Sequence, residues 1–371
     1  MQKTVLFCIT RSITGGAQKI VFSLIKGLYT KYNIILACAP GGELIEWVNS
    51  LGSKIKIYEL PTFKRSINPA ADLITLFRLI RIIKEEKVDI VHCHSSKAGL
   101  LGRLSARLCG VRKIIYTVHG WSYILCQNKF LQAVLVLIEI FAASLSSNII
   151  TVSSADEIIA YKWLKRYKAK ISKICNGINL QIENSILRKS LNIEPNKTII
   201  GITARLCEEK QPLYIIDIFS EILKKNKDLI FIWIGDGPLK ERCLYEVKNL
   251  GIGAQFIFLG NREDVASLIG DFDAFVLLSK WEGLPLSVIE AMFAGLPIIA
   301  NDVGGVSELV RDKVNGLLIK NNDKNDIIKR IEELVLNKAL MKEYGLKSKE
   351  LAMQYFTEDK MVKEYEKIYN E

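Results

Sequence analysis

Glu282-Gly-Leu-Pro-Leu-Ser-Val-Ile-Glu290 sets two carboxylates at the ends of one segment, with Gly283 and Pro285 near its start. An apolar run, Ala274-Phe-Val-Leu-Leu278, precedes it, and an apolar helical pattern continues from about Leu286 to Ala294. The spacing predicts Glu282 in the loop at the carboxyl end of a strand and Glu290 inside the following helix. Ligands of open α/β sheets bind at the carboxyl ends of strands. The free N–H groups of a helix start also attract anions. The segment therefore reads as a ligand site with a strand behind it and a helix in front.

The same strand–loop–helix unit repeats along the chain. Upstream of the segment, strands are expected at Thr198–Thr203, Leu229–Ile234 and Gln255–Leu259, and downstream at Pro297–Ala300 and Gly316–Ile319, with periodic helices between them. The first half repeats the pattern from Thr4-Val-Leu-Phe-Cys-Ile9 to Lys173–Cys175. Such alternation implies parallel sheets covered on both faces. The fold class expected is α/β, with two Rossmann-like doubly wound domains facing across a cleft. Residues 1–180 form the first domain, 181–197 a polar linker and 198–355 the second. Residues 356–371 form a C-terminal helix packing back on the first.

Charge divides the halves. Residues 1–180 carry 25 lysines and arginines against 10 acidic residues, and residues 181–371 carry 26 against 30. A strongly basic half suits an anionic surface. Helix-turn-helix, RRM and zinc-finger signatures are missing, so a membrane surface is favoured over nucleic acid. The eight cysteines are dispersed without a C-x-x-C pair, as expected of reduced core residues in a cytosolic protein. His92-Cys-His94 lacks the second ligand cluster that a metal site needs. The start of the chain reads as a strand rather than a signal peptide. The longest apolar stretch, Leu131 to Leu145, contains Gln132 and Glu139 and is too short to span a membrane.

Several strand ends carry chemistry. Arg205 and Lys210 straddle the loop after Thr203, where a fork and a point charge can share one diphosphate. Gly235-Asp236-Gly237 follows the next strand; Asp236 can accept from a ligand hydroxyl or cap a helix. Gly15 and Gly16 follow the first strand, where a phosphate could approach the backbone. His94 and His119 each follow a strand and can donate to a sugar hydroxyl or a phosphate oxygen. Asp271-Phe-Asp273 spells D-x-D but precedes its strand, the wrong end for a ligand, so it is assigned a structural role.

Taken in order, Gly15-Gly16, the A-R-L-x-x-x-K spacing of Arg205 and Lys210, Gly235-Asp-Gly-Pro238 and Glu282-x7-Glu290 resemble the retaining glycosyltransferases of family 4, of the GT-B fold. The likeness spans essentially the whole chain. His94 to Arg103 and Tyr116 to Gly120 further resemble bacterial transferases of capsule, exopolysaccharide and O-antigen assembly. The resemblance implies transfer of a hexose or N-acetylhexosamine from a nucleotide sugar, UDP-linked by preference, to a lipid-linked saccharide. It places the enzyme peripherally on the anionic cytoplasmic membrane surface, with no nucleic acid partner and no cofactor or essential metal. Arg205, Lys210, Glu282 and His119 would carry the reaction, the first two by stabilising the departing diphosphate. Gly15, Gly16, Gly235, Asp236, Asn261, Arg262, Gly283, Leu284, Pro285, Leu286 and Glu290 would hold the donor, Glu290 at its ribose. His94, Arg103, Trp121 and Tyr123 would meet the acceptor. Competing readings are a UDP-sugar 2-epimerase on the same fold, which the motif order does not suit, and a non-catalytic lipid- or nucleic-acid-binding protein, which leaves the Arg205, Lys210, Glu282 and Glu290 set unexplained.

Overall fold

The computed structural model describes residues 2–371 apart from 122, 125, 127, 183–185 and 321–322. It divides into two units, residues 1–177 with 358–371, and residues 178–357. The first runs β1 (Thr4–Ile9), α1 (Gly16–Leu28), β2 (Asn33–Cys38), α2 (Glu43–Asn49), β3 (Lys56–Glu59), α3 (Pro69–Glu85), β4 (Ile90–His94), α4 (Ser96–Leu108), β5 (Lys113–Val118), α5 (Lys129–Leu145), β6 (Asn148–Thr151), α6 (Ser154–Trp163) and β7 (Ile171–Lys173). The second runs α7 (Leu187–Ser190), β8 (Thr198–Thr203), α8 (Pro212–Lys225), β9 (Leu229–Ile234), α9 (Lys240–Asn249), β10 (Phe256–Gly260), α10 (Val265–Ile269), β11 (Ala274–Leu277), α11 (Leu286–Phe293), β12 (Ile298–Asn301), α12 (Val306–Leu309), β13 (Gly316–Ile319), α13 (Lys324–Leu336) and α14 (Lys338–Tyr355). Helix α15 (Glu358–Asn370) then belongs to the first unit.

Both sheets are parallel, because each strand is followed by a helix that returns the chain to the sheet's starting edge. Their orders are β3-β2-β1-β4-β5-β6-β7 and β10-β9-β8-β11-β12-β13. β4 and β11 are buried along their whole length, as sheets covered on both faces require. Helix starts are written locally: Asn68, Asn128 and Ser153 cap α3, α5 and α6 through their side chains, and Pro69 and Pro212 open α3 and α8. In each sheet the strand order reverses once, between β1 and β4 and between β8 and β11. That reversal opens a crevice at the carboxyl edge where ligands bind.

The expected linker is built differently. Residues from Ile178 onward belong to the second unit. Leu187 of α7 is buried, and the Arg188 guanidinium bonds Asp273 at 2.8 Å while its backbone N–H donates to Asp271 at 3.0 Å. Asp273 also accepts the Ile199 N–H at 2.7 Å. The run is polar because it forms ion pairs, and the D-x-D carboxylates are committed to that structural task.

Candidate active site

The reversal between β8 and β11 gathers the strongest sequence candidates. After β8 the chain makes a short turn, Glu208–Lys210, and enters α8 through Gln211, whose φ is +51°. Gln211 donates its side-chain amide to the Leu278 carbonyl at 2.8 Å, and the Lys280 N–H bonds the Glu209 carbonyl at 2.8 Å. These two bonds join the loop after β8 to the loop after β11. The join brings the Lys210 ammonium onto the Glu282 carboxylate in a short ion pair. Glu282 is buried, as is Glu290 in α11. Gly283, Leu284, Pro285 and Leu286 are buried around them, and α11 starts with no side-chain cap and no acidic residue in its first turn. Its N–H groups face the ligand edge with their partial positive charge intact. Arg205 is exposed in the same loop after β8, and its guanidinium forms no hydrogen bond or ion pair among the described residues.

Glycines allow these loops to touch. Gly235 has φ +134°, and a Cβ there would lie 2.1 Å from the Ala204 carbonyl oxygen. Gly304, after β12, has φ +55°, and a Cβ there would lie 1.6 Å from the Glu282 carbonyl oxygen. The Gly305 N–H also bonds the Gly283 carbonyl at 2.8 Å. Gly304 was not singled out from the sequence, although Gly304-Gly305 after a strand is the same signal as Gly15-Gly16. Asp236 accepts from its neighbour Gly237 N–H at 2.7 Å and pairs with Lys240 at 2.7 Å, which holds its carboxyl below the usual range. Asn261 and Arg262 lie exposed after β10, and Arg262 forks onto Asp264 at 2.7 and 2.5 Å.

In the first unit, Gly15 and Gly16 open α1, again with no acidic residue in the first turn and no side-chain cap. Across the β1/β4 reversal, Thr10 Oγ1 and Ser95 Oγ lie 2.8 Å apart. Ser95 adopts φ +70°, a costly angle for a serine that nothing in the sequence announces. The histidines share one face of the sheet. His92 lies between the Tyr369 hydroxyl at 2.6 Å and Thr117 Oγ1 at 2.8 Å, and Thr117 in turn contacts the Tyr365 hydroxyl at 3.1 Å. His94 Nδ1 is 2.9 Å from His119 Nε2. Burial keeps all three neutral by pushing their pKa values down, that of His119 to about 4.

Four expected acceptor contacts are corrected. His94 is fully buried behind His119. Arg103 is fully buried too, paired with Glu139 at 2.9 Å and stacked 4.1 Å from the Tyr116 ring centre. Trp121 donates its indole N–H to the Asp156 carbonyl at 3.0 Å, and Tyr123 packs beside it in the core. Both aromatic rings are buried, Trp121 against α6 through that bond and Tyr123 beside α5, where Gln132 donates to its carbonyl at 3.0 Å. Removing one partner of a buried ion pair strands the other, at a cost of about 3–5 kcal/mol, whereas replacing both by apolar groups is often near neutral. Arg103→Met is therefore expected to lower the denaturation midpoint sharply, and Arg103→Met with Glu139→Leu to recover most of the loss. Denaturant unfolding of the three proteins checks this.

Known proteins place the chain. Residues 14–182 match Glycosyltransferase Family 4 and residues 183–351 match Glycosyl transferases group 1. The chain is 33% identical over 319 residues, 84% of its length and 82% of the relative's, to an Escherichia coli UDP-Gal:alpha-D-GlcNAc-diphosphoundecaprenol alpha-1,3-galactosyltransferase. It is 26% identical over 94% of its length and 93% of the relative's to a Campylobacter jejuni N,N'-diacetylbacillosaminyl-diphospho-undecaprenol alpha-1,3-N-acetylgalactosaminyltransferase. Among solved structures it superposes on the Anabaena protein HepE, bound to UDP and glucose, with a TM-score of 0.84, 18% identity and full coverage of both chains. WaaG, a glycosyltransferase involved in lipopolysaccharide biosynthesis, gives 0.77 at 14% identity, covering 98% of this chain and 99% of its own. With two parallel α/β sheets in the GT-B pattern and both halves matched, the chain belongs to the family 4 glycosyltransferases.

Proposed function

We propose that this enzyme transfers a hexose or N-acetylhexosamine from a UDP-sugar, with retention, to a saccharide carried on a polyprenyl diphosphate during cell-surface polysaccharide synthesis. The observation that carries the reading is the convergence of Arg205, the Lys210–Glu282 pair and the start of α11 at one sheet reversal. The names of two relatives, both transferases onto diphosphoundecaprenol-linked sugars, support the acceptor class, and one of them names UDP-Gal as donor.

The chemistry follows from that geometry. As the bond between the sugar C1 and the diphosphate oxygen breaks, negative charge builds on the leaving phosphate and positive charge on the ring. Preorganised cations and N–H groups lower the barrier by meeting the phosphate charge as it forms. Arg205, Lys210 and the α11 N–H groups serve this purpose. Glu282, already oriented by Lys210, accepts from sugar hydroxyls, and Glu290 from the ribose. Glu282 and Asp236 are both engaged by lysines, which suits the leaving phosphate as acceptor of the incoming hydroxyl's proton. The new C1–O bond then forms on the face the diphosphate leaves. These cations supply the charge that a metal would supply elsewhere, so the reaction is expected to need none.

The first unit suits a lipid surface. Helix α5 buries Glu139, Ala142 and Ala143 but exposes Phe130, Leu137 and Phe141, spaced along one stripe. Across α4, which packs against both helices, α3 exposes Leu73, Ile74 and Phe77 ahead of exposed Arg78 and Arg81. Lys64, Arg65, Arg107, Arg112 and Lys129 of the same unit are exposed as well, and each is worth about 1 kcal/mol where it lies beside an anionic bilayer. None of the helices among the described residues is long and apolar enough to cross a membrane. The exposed apolar and basic residues support the proposal that the enzyme binds peripherally at the cytoplasmic membrane face. Phe130→Ser with Phe141→Ser is expected to weaken sedimentation with phosphatidylglycerol liposomes at least tenfold while leaving the thermal midpoint unchanged. Undiminished binding would remove α5 from the interface.

The deciding experiment presents a panel of UDP-, GDP- and ADP-sugars with a polyprenyl-diphosphate-linked GlcNAc and determines the product's anomeric configuration by NMR, with and without EDTA. Transfer from a UDP-sugar to an α-linked product, undiminished by EDTA, is expected. A β-linked product would sink retention. Inhibition by EDTA reversed by Mg²⁺ would sink the metal-free reading, and exclusive use of another nucleotide the UDP reading.

A further inference from the structure

His94 and His119 end adjacent strands, and their 2.9 Å contact has room for one proton. His94 lies wholly within the unit, and its second nitrogen, Nε2, is buried without a hydrogen-bond partner. Two arrangements are possible. If His94 Nδ1–H donates to His119 Nε2, the buried Nε2 of His94 is a bare lone pair. If His119 Nε2–H donates to His94 Nδ1, then neutral His94 carries its own proton on Nε2, as an N–H with no acceptor. Orphaned buried N–H groups are rarer than under-satisfied acceptors. His119 is only half-buried, and its other nitrogen, Nδ1, is neither enclosed nor bonded to protein among the described residues.

We infer that His94 is a positioning residue: it donates from Nδ1 to His119 Nε2 and so fixes His119 as the Nδ1–H tautomer, with that N–H as the donor offered to a sugar hydroxyl or phosphate oxygen. The inference rests on the role at the substrate that the family resemblance implies for His119. His94 is itself held from behind. Its ring centre is 4.1 Å from that of His92, which the Tyr369 hydroxyl of α15 bonds at 2.6 Å. The next residue, Ser95, is bound to Thr10, just past the end of β1. Phe7 of β1 and His92 of β4 thus flank the ring that sets the tautomer, and Tyr369 of α15 holds His92.

The test begins with long-range ¹H–¹⁵N correlation spectra of the full-length protein, assigned through His94→Asn and His119→Asn. Protonated Nδ1 and bare Nε2 on His119 are expected; a protonated Nε2 on His119 overturns the inference. In turnover assays, His94→Phe keeps a ring and removes the bond. It is expected to lower kcat about tenfold with donor KM little changed. His94→Asn, whose amide can donate from nearly the same place, should restore most of that loss. Equal losses in both variants, or a loss in KM alone, would assign His94 a merely structural role. If His94→Phe does not fold, the wild-type spectrum still decides the tautomer. If His119→Ala turns over normally, the substrate role of His119 fails instead, whatever tautomer the spectrum shows.

Discussion

Arg205→Ala is expected to lower kcat by about 10²–10³-fold, the usual cost of losing one preorganised donor to a developing oxyanion. Its thermal midpoint is expected to stay within about 2 °C of the parent's. The two halves of this expectation come from one observation. Arg205 stands exposed at the β8/β11 reversal, and its guanidinium has no hydrogen-bond or ion-pair partner among the described residues, so its removal strands nothing. Lys210→Ala makes the contrast. It deletes the partner of the buried Glu282 carboxylate, so stability should fall along with activity and the two effects cannot be separated. Arg205→Lys should recover little, because a single ammonium cannot reproduce a fork on two phosphate oxygens. The measurement is kcat under saturating donor and acceptor, beside a thermal melt of each variant. Near-parental turnover by Arg205→Ala would remove Arg205 from the leaving-group site.

The order of the sheets explains how much of this was legible. β–α alternation is local, so strands and their following loops could be read from apolar runs and glycines. The ligand edge then followed, because in a parallel sheet every strand points its carboxyl end the same way. Contacts between distant segments were harder. Arg103 looks like a surface cation until Glu139, on another helix, is seen to face it. His94 looks like a strand-end contact until it is seen buried against His119 from the neighbouring strand. The polar run before β8 looks like a linker until Arg188 meets Asp271 and Asp273. Helix α14 escaped notice for a related reason. Its inner face sets Gly345 and Ser348 between Met341 and Tyr344 before them and Leu351 and Ala352 after, which interrupts the apolar stripe. A Cβ on Gly345 would lie 2.1 Å from the Gly295 carbonyl oxygen, and the Ser348 hydroxyl donates to the Asn315 carbonyl at 3.1 Å.

Gly304→Ala should damage both stability and chemistry, although the residue touches no charge. Its φ of +55° puts an alanine in the left-handed region, at about 1–2 kcal/mol. The new methyl would also sit 1.6 Å from the Glu282 carbonyl oxygen, so one of the two loops must move. Overpacking of this kind costs about 1–3 kcal/mol more. For a unit of this size the sum corresponds to a midpoint lower by about 5–15 °C. The displaced segment carries Glu282 and its pairing with Lys210, and Gly305 would lose its 2.8 Å bond to Gly283. A shift of about 1 Å at a positioning group can cost about 10²-fold in rate, so kcat should fall by that order at temperatures where the variant is still folded. Gly253→Ala is the control: a Cβ there meets only a Val247 methyl, at 4.0 Å, and both midpoint and kcat should remain parental. If Gly304→Ala kept the parental kcat and melted early, the loop after β12 would support the fold without positioning Glu282, and the carboxylate's orientation would rest on Lys210 alone.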